Sequence, residues 1–290
     1  MRVADGAGFP KRLTLLGAAT LVAAGLALAS VVLTSSPRAT ASSFEHLYPD
    51  LQTVVPVHLN LVNAQQREYL RFSNGIANTG KGPWALRAEH DLLSPTQTTT
   101  AIQEIRTTND YYECGTQPKQ VTACYEIAAE EAVSLFEYHP THKHWHTADV
   151  ALFEVRQGSP TGPVVGENSI KVGFCLVEVY TLEGNARTKE RTFWDCHGSH
   201  QGIGSGWVDQ YHHATDGQEV DLTGVPDADD YYLVSTSDPG NAFLETDDGN
   251  NTAWVSFSLT SSSNGNRKVT VTGSSDCDTP ALCGVGAPNR

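Results

Sequence analysis

Three histidines at alternate positions, His142, His144 and His146, are the residues in this chain best placed to do chemistry. In an extended strand successive side chains alternate faces, so the three imidazoles share one face about 6.7 Å apart, with Lys143 and Trp145 on the other. Modest curvature would bring them onto one ion. Neutral imidazole suits copper, zinc or iron, and three such ligands leave a coordination position open to water or O2. Copper is the preferred reading, although imidazole alone does not separate it from zinc. The bland alternative is a His-rich exposed strand face, and a third histidine in register argues against it. His139 is either a partner behind the ligands or a strand-start residue.

A second group is built of hard oxygens. Glu245, Asp247, Asn250 and Asn251 fall within seven residues, a set suited to calcium, with a polar Asp-Gly-Asn turn as the competing reading. Taken alone, Lys171 is an outward lysine on a half-buried strand, alternating against Ile170, Val172 and Phe174. Tyr211, beside Asp209, His212 and His213, reads alone as an interface tyrosine in a loop-like stretch.

The elements that must position these groups read as strands. Alternating or β-rich runs recur at 54–62, 68–72, 101–107, 133–138, 148–155, 170–176, 219–222, 231–236, 253–259 and 268–272, separated by stretches rich in Gly, Pro, Asn and Asp. The fold class is all-β, a sandwich-like single domain with long loops stapled by disulfides. Residues 128–135 have the makings of a short helix, and Asn264-Gly265 between two alternating runs signals a hairpin. The connections 87–100 and 183–209 are long enough to carry function or need stapling.

The ends and the charge bound the class of protein. Arg2, Lys11 and Arg12 precede an apolar stretch at 13–33 and an Ala39-Thr40-Ala41 exit, the pattern of an export signal over 1–41. The apolar stretch is also long enough to serve as an uncleaved anchor. Residues 42–290 then form one domain outside the cytoplasm, with no membrane contact after cleavage. Six cysteines fall as Cys114/Cys124, Cys175/Cys196 and Cys277/Cys283, and three local disulfides are the natural pairing in an oxidising compartment. Removing the signal's four basic residues and one acidic one leaves a net charge of −17 with His neutral. Such a surface repels nucleic acid and favours cationic partners such as amines and Lys-rich polypeptides.

At the histidine run the sequence resembles the copper-dependent lysyl oxidase family, whose motif His-x-x-His-x-His-x-His is matched by His139, His142, His144 and His146. Lys171-Val172-Gly173-Phe174-Cys175-Leu176 is similar to the family's Lys-x-x-Phe-Cys-Leu segment. The stretch from Gln201-Gly202 through Gly206 and Asp209 to Tyr211 is similar to its Gln-Gly-x-x-x-Gly-x-x-Asp-x-Tyr segment. Weaker likenesses lie at Leu70-Arg71-Phe72 with Asn78-Thr79-Gly80, and at Glu245, Asp247, Asn250 and Asn251, so the resemblance covers 49–259. It implies that His142, His144 and His146 hold copper. It also implies that Lys171 and Tyr211 crosslink into lysine tyrosylquinone, tying down the 183–209 connection, and that Asp50 joins the calcium set. Thr141 and Trp207 stand where animal members carry cysteines, so the animal disulfide map does not transfer and Cys196 is left to pair with Cys175.

The activity so implied is oxidation of primary amines, including lysine side chains of peptides or proteins, by O2 to aldehyde, ammonia and hydrogen peroxide. Asp209, two residues from Tyr211, is the candidate base for the α-proton if its carboxylate is shielded; a solvated loop aspartate is the alternative. The competing function is a non-catalytic exported copper-binding protein that keeps the histidine site without building the quinone. A zinc hydrolase lacks the HExxH pattern and an evident base beside the ligands.

Overall fold

The computed structural model describes residues 45–92, 98–107, 127–182 and 190–287, and for 166–171 the backbone alone. The expected export signal, the Cys114/Cys124 pair and the side chain of Lys171 therefore lie outside the described residues.

The first strands are β1 (His46–Leu47), β2 (Leu51–Ala64) and β3 (Arg67–Asn78). β2 and β3 make a hairpin whose two turn residues, Gln65 and Gln66, both take positive φ (52° and 65°), the backbone that matches the twist of a two-residue hairpin. β4 (Trp84–Ala88) and β5 (Thr99–Thr107) follow. Next come β6 (Ile127–His139), β7 (His144–Gln157) and β8 (Val164–Phe174). The short strands β9 (Tyr180–Thr181), β10 (His200–Ile203), β11 (Trp207–Tyr211) and β12 (Glu219–Asp221) occupy the middle of the chain. β13 (Ala228–Ser237), β14 (Thr252–Ser261) and β15 (Arg267–Ser274) complete it. Gly265 at φ 81° turns the last hairpin, as the Asn-Gly signal requires.

Among the described residues the strands form two antiparallel sheets. One has ten strands along the path β10-β4-β5-β6-β7-β13-β14-β15, with β8 paired to β7 and β1 to β5. The other has five, β12-β3-β11-β9 with β2 on β3. β2 packs across β13 and β14, so the inward faces of the two sheets make the core of a sandwich-like fold. Phe72 and Phe153 meet edge to face there at 4.9 Å, and Trp84 meets Phe243 at 4.8 Å. All four are buried, as aromatic pairs that dominate a core should be.

All-β class and stapling agree with expectation. Cys175–Cys196 and Cys277–Cys283 are disulfides. Residues 128–135 are strand and not helix: they lie inside β6 and pair along β5. Their Ala and Glu content favours helix locally, and the pairing overrides it. The described part of the 183–209 connection, 190–209, is not a free loop either, since β10 closes one edge of the large sheet and Val208 of β11 pairs with both β3 and β9. Among the described residues no helix is long and apolar enough to cross a membrane.

Candidate metal and tyrosine site

β6 and β7 run into one tight hairpin with His139 opposite His144 on its last rung. The turn holds Pro140, which has no N–H for a ladder, and Lys143 at φ 58°. The expectation that three histidines alternate along one extended strand is corrected here. Only His144 and His146 do so, while His142 sits in the turn and reaches back over them.

The convergence survives the change of backbone. His146 Nε2 lies 3.2 Å from His142 Nδ1 and 3.1 Å from His144 Nε2. The three ring centroids are 5.0, 5.2 and 5.5 Å apart. Two nitrogens bound ~2.0 to 2.1 Å from one ion at near-tetrahedral angles stand roughly 3.3 Å apart. The three imidazoles therefore fit a single transition ion with small adjustment.

His139 also comes close: its ring nitrogen and those of His142 and His146 lie within 4.8 Å of one another. Its ring faces those of His142 and His146. His139 stacks on His142 at 4.2 Å and on His146 at 4.6 Å, with interplanar angles of 29° and 20°. Imidazole lone pairs lie in the ring plane, so stacked rings aim them side by side and not at a common point. His139 Nδ1 accepts the His142 backbone N–H at 3.3 Å. His139 is thus the wall that holds His142 and His146.

Burial keeps the cluster neutral. It lowers the pKa of His146 to about 3, helped by the neighbouring imidazoles and opposed by a hydrogen bond to the Gly173 backbone. His142 and His144 are lowered in the same way, by burial first and adjacent histidines second. Neutral rings keep their lone pairs for a metal.

Two further residues fix the frame. Gln201, fully buried, donates to Trp145 O at 2.8 Å and accepts from Leu176 N–H at 3.1 Å and Thr147 Oγ1 at 3.3 Å. It ties both neighbours of His146 to the segment after β8. A Cβ on Gly173 would stand 2.8 Å from Thr147 O, so β8 approaches this closely only with glycine there.

Tyr211 ends β11 and is a strand residue, not the loop residue expected. Its ring stacks on Phe174 at 3.9 Å and its hydroxyl donates to Cys175 O. Val172, Phe174 and Tyr211 border a cavity of about 310 Å³ with His142 and His146. On its other side Tyr211 borders a second hollow of about 500 Å³ with His142, His144, Arg191 and Asp209. His142 and Tyr211 thus form the partition between the two. The backbone of Lys171 pairs with Leu152 of β7, one residue before Val172 of that cavity wall.

Asp209 is 1% exposed on β11, not a solvated loop aspartate. Neither carboxylate oxygen has a partner in hydrogen-bond geometry. Burial raises its pKa well above the ordinary range, opposed more weakly by the nearby Val177 N–H, Tyr211, Gln210 N–H and Arg191. Burial also raises the Tyr211 phenol, reinforced by Asp209.

The hard-oxygen set is drawn together where the loop after β13 meets the start of β2. Glu245 accepts from Leu51 N–H and from Asn251 Nδ2, both at 2.7 Å, and Asp50 accepts from Asn250 Nδ2 at 3.0 Å. The late loop therefore clasps the start of β2. Asp247 Oδ1 accepts the Gly249 N–H at 2.8 Å. The carboxylates that come within 4.8 Å of Glu245 are Asp238 and Asp248. Burial lifts Glu245 to about 7, and the Oδ1 atoms of Asn250 and Asn251 are buried without a donor. Crowded carboxylates and orphaned amide oxygens are a donor set that fits a hard cation.

Sequence reasoning passed over Asp238, Glu178 and His197, and met Gln201 only as a motif letter. The polarity of Asp238, Glu178 and Gln201 gives no sign of their burial in a one-dimensional reading.

The family model for lysyl oxidase matches residues 125–268, and over that stretch the chain belongs to the lysyl oxidase family. None of the curated proteins matches the chain. Family membership supports copper-dependent amine oxidation as the general chemistry, and a histidine group able to hold a metal, His139, His142 and His146, accords with it.

Proposed function

We propose that this protein oxidises primary amines, either lysine side chains or small amines, to aldehyde, ammonia and hydrogen peroxide at the expense of O2. The observation that carries the reading is the shared wall: His142 and His146 border the same cavity as Tyr211. His142, His144 and His146 would hold copper, and Lys171 with Tyr211 would form the quinone. Bound there, copper with O2 supplies oxidation of the phenol, and the resulting carbonyl supplies an electron sink for the amine.

The chain's own residues do the rest. Phe174 and Cys175 O fix the plane and hydroxyl of Tyr211, the orientation a crosslink at its ring requires. Asp209 is close enough to Tyr211 to raise its pKa and is buried beside it, a carboxylate suited to accept the α-proton. Burial raises its pKa, which makes it a stronger base than a solvated aspartate. The cluster of Asp50, Glu245, Asp247, Asn250 and Asn251, extended by Asp238 and Asp248, would hold calcium and clamp β2 to the late loop. An export signal over 1–41 and a secreted location are supported by two disulfides, which belong to oxidising compartments.

Peroxide release from a panel of amines, measured for wild type and Tyr211→Phe after expression with copper, tests the reading. Turnover by wild type alone is expected. Equal turnover by both proteins would end the quinone proposal, and no turnover by either would favour the copper-binding alternative.

A further inference from the structure

A fourth imidazole stands beside the metal hairpin on a different segment. The His197 ring lies 6.1 Å from that of His144, perpendicular to it at 86°. Unlike the three converging rings, His197 is exposed. Its backbone is nonetheless tightly placed. Cys196 is disulfide-bonded to Cys175, Cys196 O accepts the Trp145 N–H at 3.2 Å, and the His197 N–H donates to Asp195 Oδ1 at 2.8 Å. The loop thus holds a solvent-facing imidazole against the first residue of β7.

Ring separations sort the four histidines. Two imidazoles sharing one ion ~2.0 Å from each nitrogen have centroids roughly 5 Å apart at tetrahedral angles and a little over 6 Å apart when nearly linear. The pairs among His142, His144 and His146 fall at 5.0 to 5.5 Å, as ligands of one compact site would. His144 with His197 at 6.1 Å matches the wide, two-ligand arrangement instead. Burial runs in the same order: His197 is exposed, His144 is half-buried and His146 is buried.

We propose that His197 is a metal-capture residue, taking a divalent first-row ion from solvent jointly with His144 and passing it inward to His146. The step is ligand exchange with no redox change: the ion sheds waters for the imidazoles of His197 and His144, then leaves His197 as His146 and His142 bind. His144 stays bound throughout, so the ion is never released. At 3.1 Å from His144 Nε2, His146 Nε2 is within reach of an ion that pivots on His144. This inference rests on the histidine site proposed above, and its failure can be told apart from failure of that site.

The experiment is stopped-flow loading of the metal-free full chain with Cu(II), comparing wild type, His197→Ala and His146→Ala. Final stoichiometry and the electron paramagnetic resonance spectrum at saturation are recorded alongside the rate. His197→Ala is expected to load at least five-fold more slowly while reaching the same stoichiometry and the same spectrum. An unchanged loading rate would overturn the capture role. A changed spectrum at saturation would overturn it differently, by making His197 a permanent ligand. Because His197 is exposed, its replacement leaves the fold intact, which a thermal melt checks. If wild type and His146→Ala bind copper alike, the histidine site itself fails, whatever His197 does.

Discussion

The β6–β7 hairpin and the loop around Glu245 each gather ion-binding atoms, and they do so at opposite electrostatic expense. The hairpin collects neutral imidazoles, kept neutral by burial, with His139 stacked behind them. Nothing in it demands an ion for the backbone to stay folded. The Glu245 loop collects Asp238, Glu245 and Asp248 within 4.8 Å, where like charges repel and a cation or a proton must relieve them. The difference teaches that an imidazole site can be preassembled by burial, stacking and hydrogen bonds, whereas crowded carboxylates need a cation or a proton to be held together. Removing metal should cost function at the first and stability at the second.

The largest expected effect is at the scaffold of the hairpin. Gln201→Ala strands Trp145 O and Leu176 N–H in the core, at about 1 to 3 kcal/mol for each buried group left unpaired. A total loss of about 4 kcal/mol in urea unfolding is expected, with copper affinity reduced ~10- to 100-fold, the usual range for residues that orient metal ligands. Copper affinity unchanged in a folded Gln201→Ala protein would show that the hairpin positions its histidines unaided.

Glu178 sharpens the comparison, because it is a buried carboxylate among backbone donors instead of other acids. Its oxygens accept from the Phe193 and Gly204 N–H groups at 3.1 and 2.9 Å and from the Thr192 N–H. Burial still outweighs these donors and raises it from 4.5 to about 7. With the folded pKa raised, the native state binds the extra proton, so this group's contribution is full below pH 4.5 and is lost as pH climbs through about 7. The loss is bounded at about 3 kcal/mol. Glu178→Gln should flatten the fall in stability between pH 5 and 8, read by urea midpoints across that range; an unaltered slope would assign it elsewhere.

The smallest expected effect is at the acidic loop. Calcium added to chelated protein at thirty times its Kd should raise unfolding free energy by roughly 2 kcal/mol, and Glu245→Gln should abolish the gain. Magnesium, which dehydrates reluctantly and demands octahedral geometry, should give less. A melting temperature indifferent to calcium would leave the Asn250 and Asn251 oxygens unexplained.

Much of this was legible in the chain and some was not, for physical reasons. All ten β-rich runs overlap strands, because alternation reports a half-buried face directly, though 170–176 and 219–222 overrun β8 and β12. β4, β10 and β11 were missed: Trp84, Leu86, Gly202 and Val208 are buried within strands of four or five residues, too short for a period to register. The histidine cluster was read through the wrong backbone. His142 reaches the site from a turn set by Lys143 in a left-handed conformation, which a β-period cannot foretell. Asp209 and Tyr211 passed for loop residues since a polar side chain on an inward position leaves no mark in sequence. Asp238 joined the acidic loop unannounced because it arrives from the end of β13, seven residues before Glu245.

The central claim is that Tyr211 is converted, with Lys171, by a metal held in the neighbouring hairpin. Peptide mass mapping of protein expressed with copper, set beside His146→Ala expressed the same way, reads this directly. A covalently joined pair of peptides containing residues 171 and 211 is expected in wild type and absent from the variant. Two separate, unmodified peptides in copper-loaded wild type would contradict the account.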